Sequence, residues 1–120
     1  MKKILIVDDQ KFMRRTLRDT LNTTEYEIIE AEDGDEATKK FLEYIPDVMI
    51  IDLIMPTMDG FSAIENIKTC YPEAKIIVVS SQGTEENINK LKKLGVTSFI
   101  PKPIKIDKLI KEIDDYTTPT

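Results

Sequence analysis

A chain of 120 residues with 41% hydrophobic and 32% charged side chains has the size and composition of one compact domain that needs no disulfide or metal staple. Its net charge of -5 argues against a phosphate-backbone binding surface, while one cysteine and no histidine exclude a disulfide framework, a histidine-ligated zinc site and a Ser/His/Asp triad. No run approaches the roughly 18 apolar residues of a bilayer span, and the start MKKILIV meets two aspartates too soon to act as a secretory leader, so the expectation is a cytoplasmic protein in contact with neither membrane nor nucleic acid.

Ile4-Leu5-Ile6-Val7 is wholly apolar, as a strand buried on both faces should be. A helix follows in which Met13, Leu17 and Leu21 share a face and Arg14, Arg15 and Arg18 fall elsewhere. Tyr26 to Glu30 is a half-alternating strand suited to a place near an edge. Asp33-Gly34-Asp35 turns the chain and caps a helix whose stripe is Ala37, Phe41 and Ile45, ended by Pro46. Val48 to Ile51 is a third strand, and after a loop through Pro56 a turn at Asp59-Gly60 opens a helix carrying Phe61, Ile64 and Ile67. Cys70, in the same periodic segment, is expected to be a small core residue.

Ile76 to Val79 is a fourth buried strand. Thr84 caps the next helix, with Glu85 and Glu86 in its first turn, Ile88, Leu91 and Leu94 inward and Gly95 at its end. Thr97 to Ile100 is the fifth strand, and Ile106, Leu109, Ile110, Ile113 and Tyr116 form the apolar face of the last helix. One domain over residues 1–116 is expected, with 117–120 a polar tail or the start of a linker. Strands alternating with helices predict a doubly wound α/β domain: a five-stranded parallel sheet of order 2-1-3-4-5 with five helices, flavodoxin-like. That order makes strands 1 and 3 neighbours at the switch point, where ligands bind beyond the carboxyl ends.

Strand 1 ends in Asp8-Asp9, strand 3 in Asp52, strand 4 in Ser80, and Lys102-Pro103 follows strand 5. Asp52 stands inside the apolar run VMIIDLIMP, where an unpaired charge is costly. Like charges about 4 Å apart repel by on the order of 1 kcal/mol in water and by more at protein-like dielectric, so the three acids need a cation or must raise their pKa values. Hard carboxylate oxygens suit Mg2+ better than zinc or an all-protein Ca2+ cage. No Gly-rich phosphate loop supports nucleotide binding. The set suits acyl-phosphate chemistry: a carboxylate nucleophile, a metal, a lysine as second cation and a hydroxyl donor.

With ILIVDD at 4–9, DLIMPTMDG at 52–60, VVSS at 78–81 and FIPKP at 99–103, the chain resembles, over nearly its whole length, the receiver domain of two-component response regulators, including the single-domain chemotaxis type. The resemblance implies that Asp52 is the phosphoacceptor, taking the phosphoryl group from a phosphohistidine on a sensor histidine kinase or a histidine phosphotransfer protein. Asp8 and Asp9 would hold Mg2+ with Asp52 and the backbone carbonyl of Ile54. Lys102 would pair with the phosphoryl group, and Lys102-Pro103 would be cis. Ser80 would be the switch hydroxyl and Phe99 the aromatic whose rotamer follows it. The readout surface would be helix 4, strand 5 and helix 5, engaging a downstream protein, an output domain or a second receiver in a phosphorylation-dependent dimer. Partner specificity is expected on helix 1 and neighbouring loops, with Lys11, Phe12, Arg14 and Arg15 as contacts.

The sequence departs from the family pattern in four places. Phe99 stands where tyrosine is more frequent, Ser81 where a small apolar residue is common, Pro101 stiffens the approach to Lys102, and Ile54 is apolar where many relatives are polar. Ile54 also bears on a rival reading, a Mg2+-dependent aspartyl-phosphate phosphohydrolase, because such enzymes place an acid/base aspartate at that position. A receiver-like interaction module without phosphorylation, or a flavin binder, is the third reading. The intact set of acids, Ser80 and Lys102 argues against the module, and the missing phosphate-cradling loop argues against flavin.

Overall fold

The computed structural model describes residues 2–21, 25–53 and 60–117. In chain order the elements are β1 (Lys2–Val7), α1 (Lys11–Leu21), β2 (Tyr26–Ala31), α2 (Gly34–Tyr44), β3 (Val48–Ile51), α3 (Gly60–Cys70), β4 (Ile76–Ser80), α4 (Glu85–Lys93), β5 (Ser98–Pro101) and α5 (Ile106–Thr117). The strands form one parallel sheet of order β2-β1-β3-β4-β5, which is the doubly wound topology expected, with β2 on an edge.

The apolar strands are buried because helices cover both faces. Successive side chains on a strand point to opposite faces, and the core accordingly divides in two. Leu5, Val7, Met49, Ile51 and Val78 pack with Ala37 and Phe41 of α2, Ala63, Ile64 and Ile67 of α3 and Leu91 of α4. On the other face Ile4, Ile6, Val48, Ile50, Ile77 and Val79 pack with Leu17 and Leu21 of α1 and Leu109 and Ile113 of α5.

Helix ends follow the expected local chemistry. Asp33 Oδ1 accepts the Glu36 N–H at 2.8 Å at the start of α2, and Thr84 Oγ1 accepts the Asn87 N–H at 3.2 Å at the start of α4. After α4, Gly95 has φ +85°; its N–H reaches the Lys92 carbonyl and the Val96 N–H the Leu91 carbonyl, a Schellman closure whose apolar pair is Val96 and Leu91. α5 has no basic residue in its last turn, and Lys75 Nζ donates to its Tyr116 carbonyl from outside.

Three expectations are corrected. Ile45 does not continue the α2 stripe: it is the C-cap, left-handed at φ 45°, and 44% exposed, because the helix closes there before Pro46 and swings the side chain off the sheet. Cys70 is exposed rather than core. It is the last residue of α3, beyond the buried Gly60, Ala63, Ile64 and Ile67, where the helix ends and no further turn covers it. α5 includes Thr117, so the tail expected at 117–120 overlaps the last helix; residues 118–120 lie outside the described residues. Asp33→Ala removes the α2 cap and is expected to lower stability by about 1 kcal/mol, seen as a lower urea midpoint with an unchanged m-value.

Candidate functional site

Strand register alone brings the acids together. Val7 of β1 is paired with Ile51 of β3, so Asp8 and Asp52, each one residue further, emerge side by side at the carboxyl edge. The ladder continues through both: the Asp8 N–H donates to the Ala31 carbonyl and the Asp52 N–H to the Val7 carbonyl, each at 3.1 Å. Ser80 is paired with Pro101, and the Lys102 N–H donates to the Ser80 carbonyl at 3.1 Å, which starts the lysine side chain from the same edge.

Lys102 closes the site. Its Nζ donates to Asp52 Oδ2 at 2.8 Å and lies 3.5 Å from Asp8 Oδ2. Asp8 is 4% exposed, and its other carboxylate oxygen accepts the Gln10 N–H at 2.9 Å. Burial raises the Asp8 pKa above its ordinary value; the Gln10 N–H and Lys102 oppose the rise, and the charges of Asp52 and Asp9 reinforce it. Burial pulls the Lys102 pKa down, but hydrogen bonding and charge from Asp52 and then Asp8 outweigh it, and the net shift is upward.

Ser80 is buried, and its Oγ accepts the Gln82 N–H at 3.1 Å, so the hydroxyl oxygen is engaged by the loop that leads into α4. Phe99 is half-buried, and its ring rests on that loop: a Cβ at Gly83 would lie 2.9 Å from the ring. Asp9 is exposed beside the buried Asp8. The Lys102–Pro103 peptide is cis. Ile54, expected to lend a carbonyl, lies outside the described residues.

Among the described residues no three acidic side chains form a ready-made metal cage; Asp8 and Asp52 share the Lys102 ammonium. The donor chemistry nonetheless fits Mg2+, which takes one or two carboxylates and keeps several waters: hard oxygens only, one buried acid disfavoured as a bare anion, and an exposed acid next to it.

Two contributors escaped the sequence reading. The first is Gly60, read only as a turn residue. A Cβ there would lie 2.7 Å from both the Asp52 carbonyl oxygen and Leu53 Cα, and its N–H donates to the Leu53 carbonyl at 2.7 Å. The start of α3 thus presses directly on the backbone that carries Asp52. The second is Arg14, expected to be a partner contact; its side chain is 12% exposed and is spent on Asp8 and Glu30. Its spacing placed it off the apolar face, and nothing in one dimension marks a partner sixteen residues away.

A family profile described as "Response regulator receiver domain" matches residues 4–114. The chain belongs to the response regulator receiver domain family, and is therefore a two-component signalling module rather than a turnover enzyme. Chemotaxis protein CheY of Halobacterium salinarum is 41% identical over 118 residues, covering 98% of each chain. CheY of Listeria monocytogenes is 37% identical over 115 residues, covering 95% of this chain and 97% of the relative. Among solved structures, the CheX-CheY-BeF3-Mg+2 complex from Borrelia burgdorferi is similar with a TM-score of 0.90 and 29% identity, over 98% of this chain and 90% of that one.

Gly60→Ala is expected to destabilise the protein by about 1–3 kcal/mol, because the contacted atoms are backbone; urea unfolding measures this. The Asp8 shift gives a pH dependence with a definite sign. A carboxyl whose pKa is raised in the folded state contributes stability that is complete below its unfolded pKa and lost as pH rises through the folded one. The Asp8 contribution to metal-free stability should therefore be lost as pH rises past the ordinary carboxylate range, and thermal unfolding of Asp8→Asn should show a higher Tm at neutral pH than the wild type, with the difference disappearing in acid.

Proposed function

We propose that Asp52 accepts a phosphoryl group from the phosphohistidine of a sensor histidine kinase or histidine phosphotransfer protein, and that the aspartyl phosphate switches the domain. The observation that carries this reading is the Lys102 Nζ to Asp52 Oδ2 contact of 2.8 Å at the point where β1 and β3 adjoin. A carboxylate oriented by an ammonium that can follow the incoming phosphoryl oxygens is a nucleophile beside its own charge stabiliser.

Asp8, Asp9, Asp52 and the Ile54 carbonyl are the residues that would hold Mg2+. The ion supplies charge neutralisation for the phosphoryl oxygens during in-line transfer. The Asp52 oxygen forms the new O–P bond as the donor's N–P bond breaks, and the leaving imidazole takes its proton from solvent. Lys102 then exchanges its carboxylate contacts for phosphoryl oxygen. Ser80 donates its hydroxyl to another while its oxygen keeps the Gln82 N–H, and the loop carrying Gly83 moves with it, freeing the space into which the Phe99 ring turns. The changed surface is that of α4, β5 and α5, where a downstream protein, an output domain or a second receiver reads it.

The donor side of the surface is α1 and the loop before α5. Phe12 is 78% exposed, and a groove of about 370 Å³ lined by Met13, Leu17, Pro103 and Ile104 opens beside Lys102. An apolar seat next to the phosphoryl-accepting edge suits a helical histidine-bearing partner in the cytoplasm. Incubation with acetyl phosphate or phosphoramidate and Mg2+ is expected to add one phosphate in intact-mass spectra. Asp52→Asn and chelation should each abolish the adduct. Absence of any adduct on the wild-type chain overturns the reading in favour of a non-phosphorylated interaction module, and steady phosphate release over many turnovers would point to a phosphohydrolase.

A further inference from the structure

We infer that Arg14 is a positioning residue for the metal site: its guanidinium fixes the peptide plane from which Asp9 projects, and Glu30 holds that guanidinium in place. The inference rests on the reading of Asp8 and Asp9 as Mg2+ ligands.

Arg14 Nη1 donates to the Asp8 carbonyl oxygen at 2.6 Å, and Nε to Glu30 Oε1 at 3.3 Å. The other Glu30 oxygen accepts Arg18 Nε at 2.7 Å, and Arg18 Nη2 donates to the Ile28 carbonyl at 3.3 Å. Lys40 Nζ reaches the Glu30 carbonyl from α2. Glu30 sits on β2 opposite Ile6 of β1, so β2 braces an α1 arginine against the end of β1.

With Arg14 on the carbonyl, all four polar groups of Asp8 are held: N–H by Ala31, Oδ1 by Gln10, Oδ2 by Lys102 and the carbonyl by Arg14. The Asp8 carbonyl and the Asp9 N–H share one rigid plane, and a charge-assisted bond is about twice as strong as a neutral one. Anchoring that plane fixes the position of the Asp9 Cα, and the Gln10 N–H bond to Asp8 Oδ1 restrains the Asp9 backbone torsions from the other side, which leaves the exposed carboxylate little more than its own side-chain torsions to search. As a bare charge, a guanidinium beside a cation site repels the cation, and Glu30 offsets that charge. What Arg14 contributes is therefore geometry, in the way that outer partners orient metal-ligating side chains elsewhere.

The charge effect and the positioning effect have opposite signs, which makes the test sharp. Calorimetric titration of Mg2+ into the full chain is expected to give about tenfold weaker binding or worse for Arg14→Gln. Glu30→Gln should weaken binding less, and the double variant no more than Arg14→Gln alone. In metal-free protein, amide exchange should quicken at Asp9 and Gln10 while the β4 amides keep their protection. Unchanged or tighter Mg2+ binding in Arg14→Gln, as charge removal alone would produce, overturns the inference, as does faster exchange spread over the whole sheet. A wild-type chain that binds no Mg2+ would instead overturn the ligand reading itself.

Discussion

Asp8 and Asp52 stand side by side because β1 and β3 are parallel neighbours in register, and one ammonium, that of Lys102, reconciles them. The pairing of Val7 with Ile51 puts the next two residues at the same height. Both are acids, and the sheet is too rigid for them to part. Lys102 contacts both at the edge, and the buried Asp8 still keeps a raised pKa. The site is thus charged and only partly compensated, a condition in which a divalent cation and a phosphoryl group each find opposite charge already arranged.

The rest of the fold holds that arrangement rather than relaxing it. Gly60 lets α3 start against the Asp52 carbonyl with no side chain in the way, and the buried Leu53 anchors the chain just beyond Asp52. Arg14 and Glu30 brace the end of β1. On the far side, the Lys102 N–H is bonded to the Ser80 carbonyl, while Ser80 Oγ is bonded to Gln82, one residue before the Gly83 that supports Phe99. A pull on the Ser80 hydroxyl would therefore be felt at once by the loop entering α4 and by the aromatic ring on β5. These are short, direct contacts, and they join the acid cluster to one face of the molecule.

Much of this was legible in one dimension because the signals are local. Strands buried on both faces read as continuous apolar runs, caps announce themselves as Asp33 and Thr84, and acids that end such runs stand out. Where periodicity met a helix end, it failed: Ile45 and Cys70 belong to apolar stripes by spacing but lie at the very end of their helices, where they are exposed. Arg14 failed for another reason. Its off-face spacing is that of a solvated arginine, and only the packing of α1 against β2 brings Glu30 and the Asp8 carbonyl within its reach.

The sequence by itself determined the elements, their alternation and the set of residues at the carboxyl edge, because each of these follows from side-chain periodicity and from which residues end a strand; the sheet order was expected as the common one for five alternating strands, and strand pairing decided it. Tertiary structure alone decided how those residues meet. Lys102 turns to Asp52 and Asp8, Ser80 to Gln82, Phe99 to Gly83 and Arg14 to Asp8, and each partnership depends on distances set by register and packing between segments far apart in the chain.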